Sequence, residues 1–212
     1  MGDIASAGNF VQRFEDIYKE TEREVTGLTL QQLDFMSEKW DWSKWSIRRQ
    51  LGHMPLVGVA WMYRRWNAEL PMTGVIPFFK DYYAKAPGEQ HAYVNALDAK
   101  GLLAFFKKGV DFDIFVVKRE TPETMRSTWL TIDSTGFMGQ VKAAHPTGIE
   151  DDPSNPGKWR INFEATFRHV YYELTTHFYN IQRLKRAQGL KTVTKTPLEG
   201  YHTLPAWDAS EP

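Results

Sequence analysis

The sequence predicts an all-α fold, a four-helix bundle with long crossover connections and a small β insertion. Three observations predict it. Apolar residues recur at spacings of three and four in four stretches of bundle length. Helical periodicity disappears between Thr121 and Lys158, where short alternating runs and turn residues take over. Two connections are much longer than a tight helix hairpin requires. With 212 residues and 42% apolar content, the chain can bury one sizeable core. A single domain over 1–190 is expected, with an insertion at about 121–158 and an extended, partly disordered tail over 191–212.

The first helix is expected from Asn9 to Val25, because Phe10, Phe14, Ile17, Thr21 and Val25 share one face and charges occupy the other. Gly27 and the run Leu28–Leu33 make a turn and a short helical segment, and Trp40–Trp45 reads as an ordered loop. Ser46 can cap the second helix, expected from Ile47 to Glu69 with Ile47, Leu51, Met54, Val57 and Trp61 facing inward. His53 lies beside that stripe, in line with Leu56, Val57 and Ala60. Pro55 removes one backbone donor and leaves the Leu51 carbonyl without its usual partner, so a kink is expected near His53.

Residues Pro71 to Gln90 form a long connection rich in Gly, Pro and aromatics, of the kind that serves as a lid or cavity wall; Phe78, Phe79, Tyr82 and Tyr83 would line it. The third helix is expected from Val94 to Lys118, where Gly101 and Gly109 either weaken it or mark close packing. In the insertion, Trp129, Thr131 and Phe137–Val141 suggest a hairpin turning at Ser134–Gly136, and Asp151–Gly157 reads as loop. The fourth helix, Trp159 to Gly189, carries the stripe Phe163, Phe167, Val170, Leu174, His177, Ile181 and Leu184 and ends on a basic turn of Arg183, Lys185 and Arg186.

Composition narrows the function classes. Lys+Arg and Asp+Glu are equal at 26 each, so no electrostatic footprint for nucleic acid or an anionic membrane exists. The absence of cysteine removes disulfides, thiolate metal sites and a cysteine nucleophile, so any metal must use His, Asp or Glu. No stretch approaches the roughly 18 apolar residues that span a bilayer, and a soluble cytoplasmic protein is expected. Met1–Ser6 fits the permissive myristoylation pattern, which an ordinary start explains equally well.

His177 is the one titratable member of the last helix's apolar stripe. Glu173 precedes it by four residues, which places the two side chains about 40° apart and roughly 6 Å apart along the axis. A carboxylate pointing into a core must be neutralised by protonation, by a cation such as Arg168 or Arg48, or by a metal ion. His169 stands four residues before Glu173 on nearly the same face; it either orients Glu173 or replaces His177 as its companion. Other motifs fail on spacing. His-Glu-x-x-His would need histidines where Tyr172 and Thr176 stand, Asp111 and Asp113 lack the rest of a calcium loop, and no glycine-rich phosphate loop is present. His91, His145 and His202 read as solvent-facing loop residues.

Leu33 to Pro55, containing WDWSKWSIRRQLGHM, resembles the segment that opens the second helix of the DinB/YfiT-like metalloprotein superfamily. The last helix of that family carries two histidines separated by three residues, a short run ending in isoleucine, a basic turn and glycine. Here HFYNIQRLKRAQG begins at His177, while the earlier position is Glu173. The resemblance implies a metal site of His53, Glu173 and His177, with a carboxylate in place of one histidine and with Zn, Ni, Mn or ferrous iron as the ion. It implies a metal-dependent thiol transferase, isomerase or hydrolase acting on a small molecule, with a low-molecular-weight thiol as co-substrate. His169, Tyr172 and Tyr179 are then candidates for proton transfer or orientation. The alternative is a non-catalytic, stress-response protein that binds a metal or small ligand. Bundles of this kind pair through exposed helix faces, so a homodimer is compatible with the sequence, although no patch decides it.

Overall fold

A computed structural model describes residues 7–69 and 77–212. The hexapeptide Met1–Ser6 and the opening of the Pro71–Gln90 connection lie outside the described residues. The chain is mostly helical, with one small antiparallel sheet. Among the described residues no helix is long and apolar enough to cross a membrane.

Helix α1 (Ala7–Val25) buries the predicted stripe, and the Thr21 hydroxyl satisfies itself on the Ile17 carbonyl at 2.7 Å. Helix α2 (Leu30–Leu33) is fixed by a reciprocal cap between Thr29 and Gln32. Helix α3 (Ile47–Val59) starts where Ser46 accepts from the Arg49 amide at 3.2 Å. It is continuous through His53 and Pro55 and passes into a wide π turn over Ala60–Arg65 that places Trp66 N–H on the Trp61 carbonyl at 3.1 Å.

Helices α4 (Pro77–Ala84) and α5 (Pro87–Asn95) occupy the long connection, and α6 (Ala99–Arg119) begins later than expected because Asp98 caps it through the Gly101 amide at 2.8 Å. Phe79 and Tyr82 are buried and pack at a tilt against Phe105; Phe79 fills the core, while Tyr82 also lines a cavity. Gly109 marks close packing. A Cβ there would lie 2.5 Å from Pro55 Cα, and one at Gly58 would lie 1.9 Å from Asp113 Oδ1, so α3 and α6 meet nearly backbone to backbone.

The insertion contains α7 (Pro122–Ser127), β1 (Trp129–Ile132), α8 (Met138–Ala144), β2 (Ile149–Asp151) and β3 (Trp159–Asn162). The predicted hairpin is not formed. Met138–Ala144 is helical, and β1 pairs with β3, Trp129 opposite Asn162, with β2 on the other edge of β3. Ser134 still turns the chain, but its hydroxyl bonds the distant Gly157 carbonyl. The last helix, α9 (Phe163–Ala187), begins four residues later than expected because Trp159–Asn162 is a strand and Asn162 caps the Ala165 amide at 2.8 Å.

Helix α1 packs on α6 and α9, and α3 packs on the same two, so the four long helices follow the cyclic order α1, α6, α3, α9. Gly189 ends α9 with φ +71, as a C′ residue does. The basic last turn is not solvent-facing. Arg183 is fully buried, and Lys185 pairs with buried Glu24. Glu24 also accepts from the Val193 and Thr194 amides at 2.8 Å, and Tyr201 is buried. The tail is extended, but it is packed against the helices instead of partly disordered.

Candidate metal centre

The packing of α3 on α9 brings together two side chains more than a hundred residues apart in sequence. His53 reaches toward α9 from the side of α3 that also carries Gln50, and its ring centroid lies 4.8 Å from that of His177. Glu173 Oε2 is 3.5 Å from His177 Nε2, as the four-residue spacing predicts. One ligand atom from each of His53, Glu173 and His177 falls within 4.8 Å of the others, and among the described residues this is the one such group of three. The side chains of His177 and Glu173 keep 11% and 18% exposure, so the cluster is sheltered yet reachable.

The donor set suits a divalent ion. Burial pushes His53 down to about 4, helped by its neighbour His177 and opposed by Glu173, so its imidazole is neutral at neutral pH. Burial acts to raise Glu173, but the neighbouring His177, His169 and His53 outweigh it and hold the carboxyl below its ordinary value. Gln50 fixes the remaining nitrogen. Its Oε1 accepts from His177 Nδ1–H at 2.5 Å, which leaves the Nε2 lone pair directed at the cluster. Ring nitrogens that keep a lone pair and an ionised carboxylate are the forms in which such side chains ligate a metal.

Trp45 closes the site. Its indole stacks on His177 at 6.0 Å and meets His53 edge-on at 5.5 Å, and Arg49 covers its other side at 4.1 Å. Two cavities open beside the cluster. One, about 590 Å³, is lined by His53, Arg49, Gly52, Tyr82 and His91; the other, about 330 Å³, has His177 in its wall. Neither Gln50 nor Trp45 was singled out from sequence. Gln50 carried a signal, since it stands three residues before His53 and so on the same side of the helix.

The cations considered as partners for Glu173 are engaged elsewhere: Arg48 with Asp34 and the Leu97 carbonyl, Arg168 with Glu164 and Thr147. His169 shares no hydrogen bond with Glu173. Its Nδ1 lies 2.6 Å from the Tyr201 hydroxyl, which also faces His145 Nε2 at 3.3 Å, while burial pushes His169 down to about 4. Of the two orders left open by the spacing, the structure pairs Glu173 with His177. Tyr172 packs edge-on against His145 at 4.6 Å, and Tyr179 donates to Glu211 in the tail at 2.7 Å; neither contacts the cluster. His145, expected at the surface, is 1% exposed because the end of α8 tucks under α9, and His202 is partly buried, stacked on Tyr179 at 4.7 Å. His91 remains exposed at the mouth of the larger cavity. Comparisons with protein-family models, with curated proteins and with solved structures find no match to this chain.

Proposed function

We propose that this protein is a metal-dependent enzyme of the DinB/YfiT type, in which His53, Glu173 and His177 hold one divalent ion inside a four-helix bundle with long crossovers. The cyclic packing of α1, α6, α3 and α9 supports the bundle. The observation that carries the metal is the convergence of two imidazoles and a carboxylate, from two helices, within 4.8 Å. Two nitrogens and one oxygen leave open positions on Zn, Ni, Mn or ferrous iron. A divalent ion there supplies Lewis acidity, which lowers the pKa of a low-molecular-weight thiol or of water bound beside it.

The chain's own residues do the rest. Gln50 holds the His177 tautomer, and Trp45 limits water around both imidazoles. The two cavities leave room for a small electrophile to approach from either side. The reaction is a thiol transfer, an isomerisation or a hydrolysis. Turnover of a thiol and an electrophile, lost in His177→Ala while the fold survives, is the test; unchanged turnover in that variant would exclude the mechanism.

A further inference from the structure

The smaller cavity lies between the end of α9, the aromatic turn Asp41–Lys44 and the tail, with Trp42, Trp45, Trp207 and Arg183 among its walls and His177 beside them. Arg183 has a history unlike that of a surface cation. It is fully buried, its guanidinium lies over the rings of Trp42 and Tyr179 at 4.4 and 4.5 Å, and all its hydrogen-bond partners are uncharged. Nη1 donates to the Asp208 and Ser210 carbonyls at 2.8 and 3.1 Å, and Nη2 donates to Asn180 Oδ1 at 2.6 Å. Its Nε is buried without a partner, and so is Trp207 Nε1 in the same wall.

Among the described residues no carboxylate comes within the 4.0 Å of an ion pair with Arg183. Asp41 and Asp208 stand at the rim, both exposed. Asp41 is held by Lys44 at 2.7 Å, and the Asp208 carboxylate accepts the Ser210 amide at 2.9 Å. The carboxylates of Glu211 and Asp208 act on the Arg183 charge only from beyond ion-pair distance, and burial outweighs them, so an anion brought beside the guanidinium would stabilise it. Two unpaired donors in one apolar, indole-rich wall specify what that anion looks like: a charged end and a flat body.

The geometry points to this cavity as the binding site of a small carboxylate with a flat apolar body, its charged end beside Arg183 and Trp207 and its far end toward His177. The orientation rests on the metal centre proposed above; the binding does not. A volume of about 330 Å³ suits a one- or two-ring acid.

Calorimetric titration of the full chain with naphthoate and with its uncharged amide tests this. The acid is expected to bind at least tenfold more tightly than the amide, and Arg183→Gln is expected to abolish the preference. Because that variant also loosens the tail, Trp207→Phe provides a second reading: it keeps a ring and removes the N–H, and should weaken the acid severalfold while leaving the amide unchanged. Equal binding of acid and amide to the wild type, or no binding of either, overturns the inference. His53→Ala separates the two proposals. If it loses metal and keeps the acid preference, both stand; a wild type that binds no metal but prefers the acid sinks the metal centre alone; a metal-loaded wild type without the preference sinks this site alone.

Discussion

Gln50→Leu should weaken metal binding about 10–100-fold, the usual cost of removing a hydrogen bond that orients a ligating imidazole. Gln50 is 2% exposed, and its Oε1 is the acceptor that the structure gives His177 Nδ1–H. Leucine fills the same space but leaves that N–H buried and unpaired, at about 1–3 kcal/mol. The effect can be read from melting temperatures. Metal at a hundred times its Kd stabilises a fold by about 2.7 kcal/mol, and a tenfold weaker site at the same concentration by about 1.4 kcal/mol. For a chain of this size, about 2–4 °C per kcal/mol, the metal-induced rise should drop from about 5–11 °C to about 3–6 °C. Titration with zinc, nickel and manganese against a competing chelator measures the affinity directly. Gln50→Glu, which keeps an acceptor, should retain the wild-type affinity. The reasoning is refuted if Gln50→Leu lowers the melting temperature of the metal-free protein yet leaves the affinity unchanged.

Three further outcomes follow from the packing. Burial without a partner pushes the Asp113 carboxyl well above its ordinary value, so stability is fully present below the unfolded pKa and is lost as pH rises through the folded one; Asp113→Asn should raise the neutral-pH melting temperature and flatten its pH dependence, and a lower melting temperature there would contradict this. Gly109→Ala places a Cβ 2.5 Å from Pro55 Cα and should cost about 1–3 kcal/mol in urea unfolding; a gain of about 1 kcal/mol, as at an open helix position, would show that α3 and α6 are not in such close contact. Glu24→Ala strands buried Lys185 and releases the Val193 and Thr194 amides; a loss of about 3–5 kcal/mol is expected, and sensitivity of the tail to limited proteolysis should rise with it, whereas an unchanged digestion pattern would mean that Glu24 does not hold the tail.

What the sequence made legible was whatever obeys local periodicity. The stripes of α1, α3 and α9 are buried where the spacing of three and four placed them, and Glu173 meets His177 for the same reason. That His53 faces them could be read only from its place beside a stripe and from the family resemblance, because no local pattern encodes which helices pack together. The β1–β3 pairing joins strands separated by α8 and β2, so the nearby run Phe137–Val141 offered a local partner that the fold does not use. Arg183 and Lys185 looked like an ordinary basic helix end. They are buried because the tail folds back over them, and nothing in the composition of residues 191–212 announces that. His145 was hidden from sequence reasoning in the same way, since its partners Tyr172 and Tyr201 come from α9 and the tail.

The most direct test is element-resolved metal content of untagged protein, together with anomalous difference density from its crystals. One ion per chain, with its peak between the side chains of His53, Glu173 and His177 and absent from a folded His177→Ala variant, is the predicted result. Wild-type protein that stays metal-free when offered zinc, nickel, manganese and ferrous iron, or a variant that holds as much metal as the wild type, would contradict it.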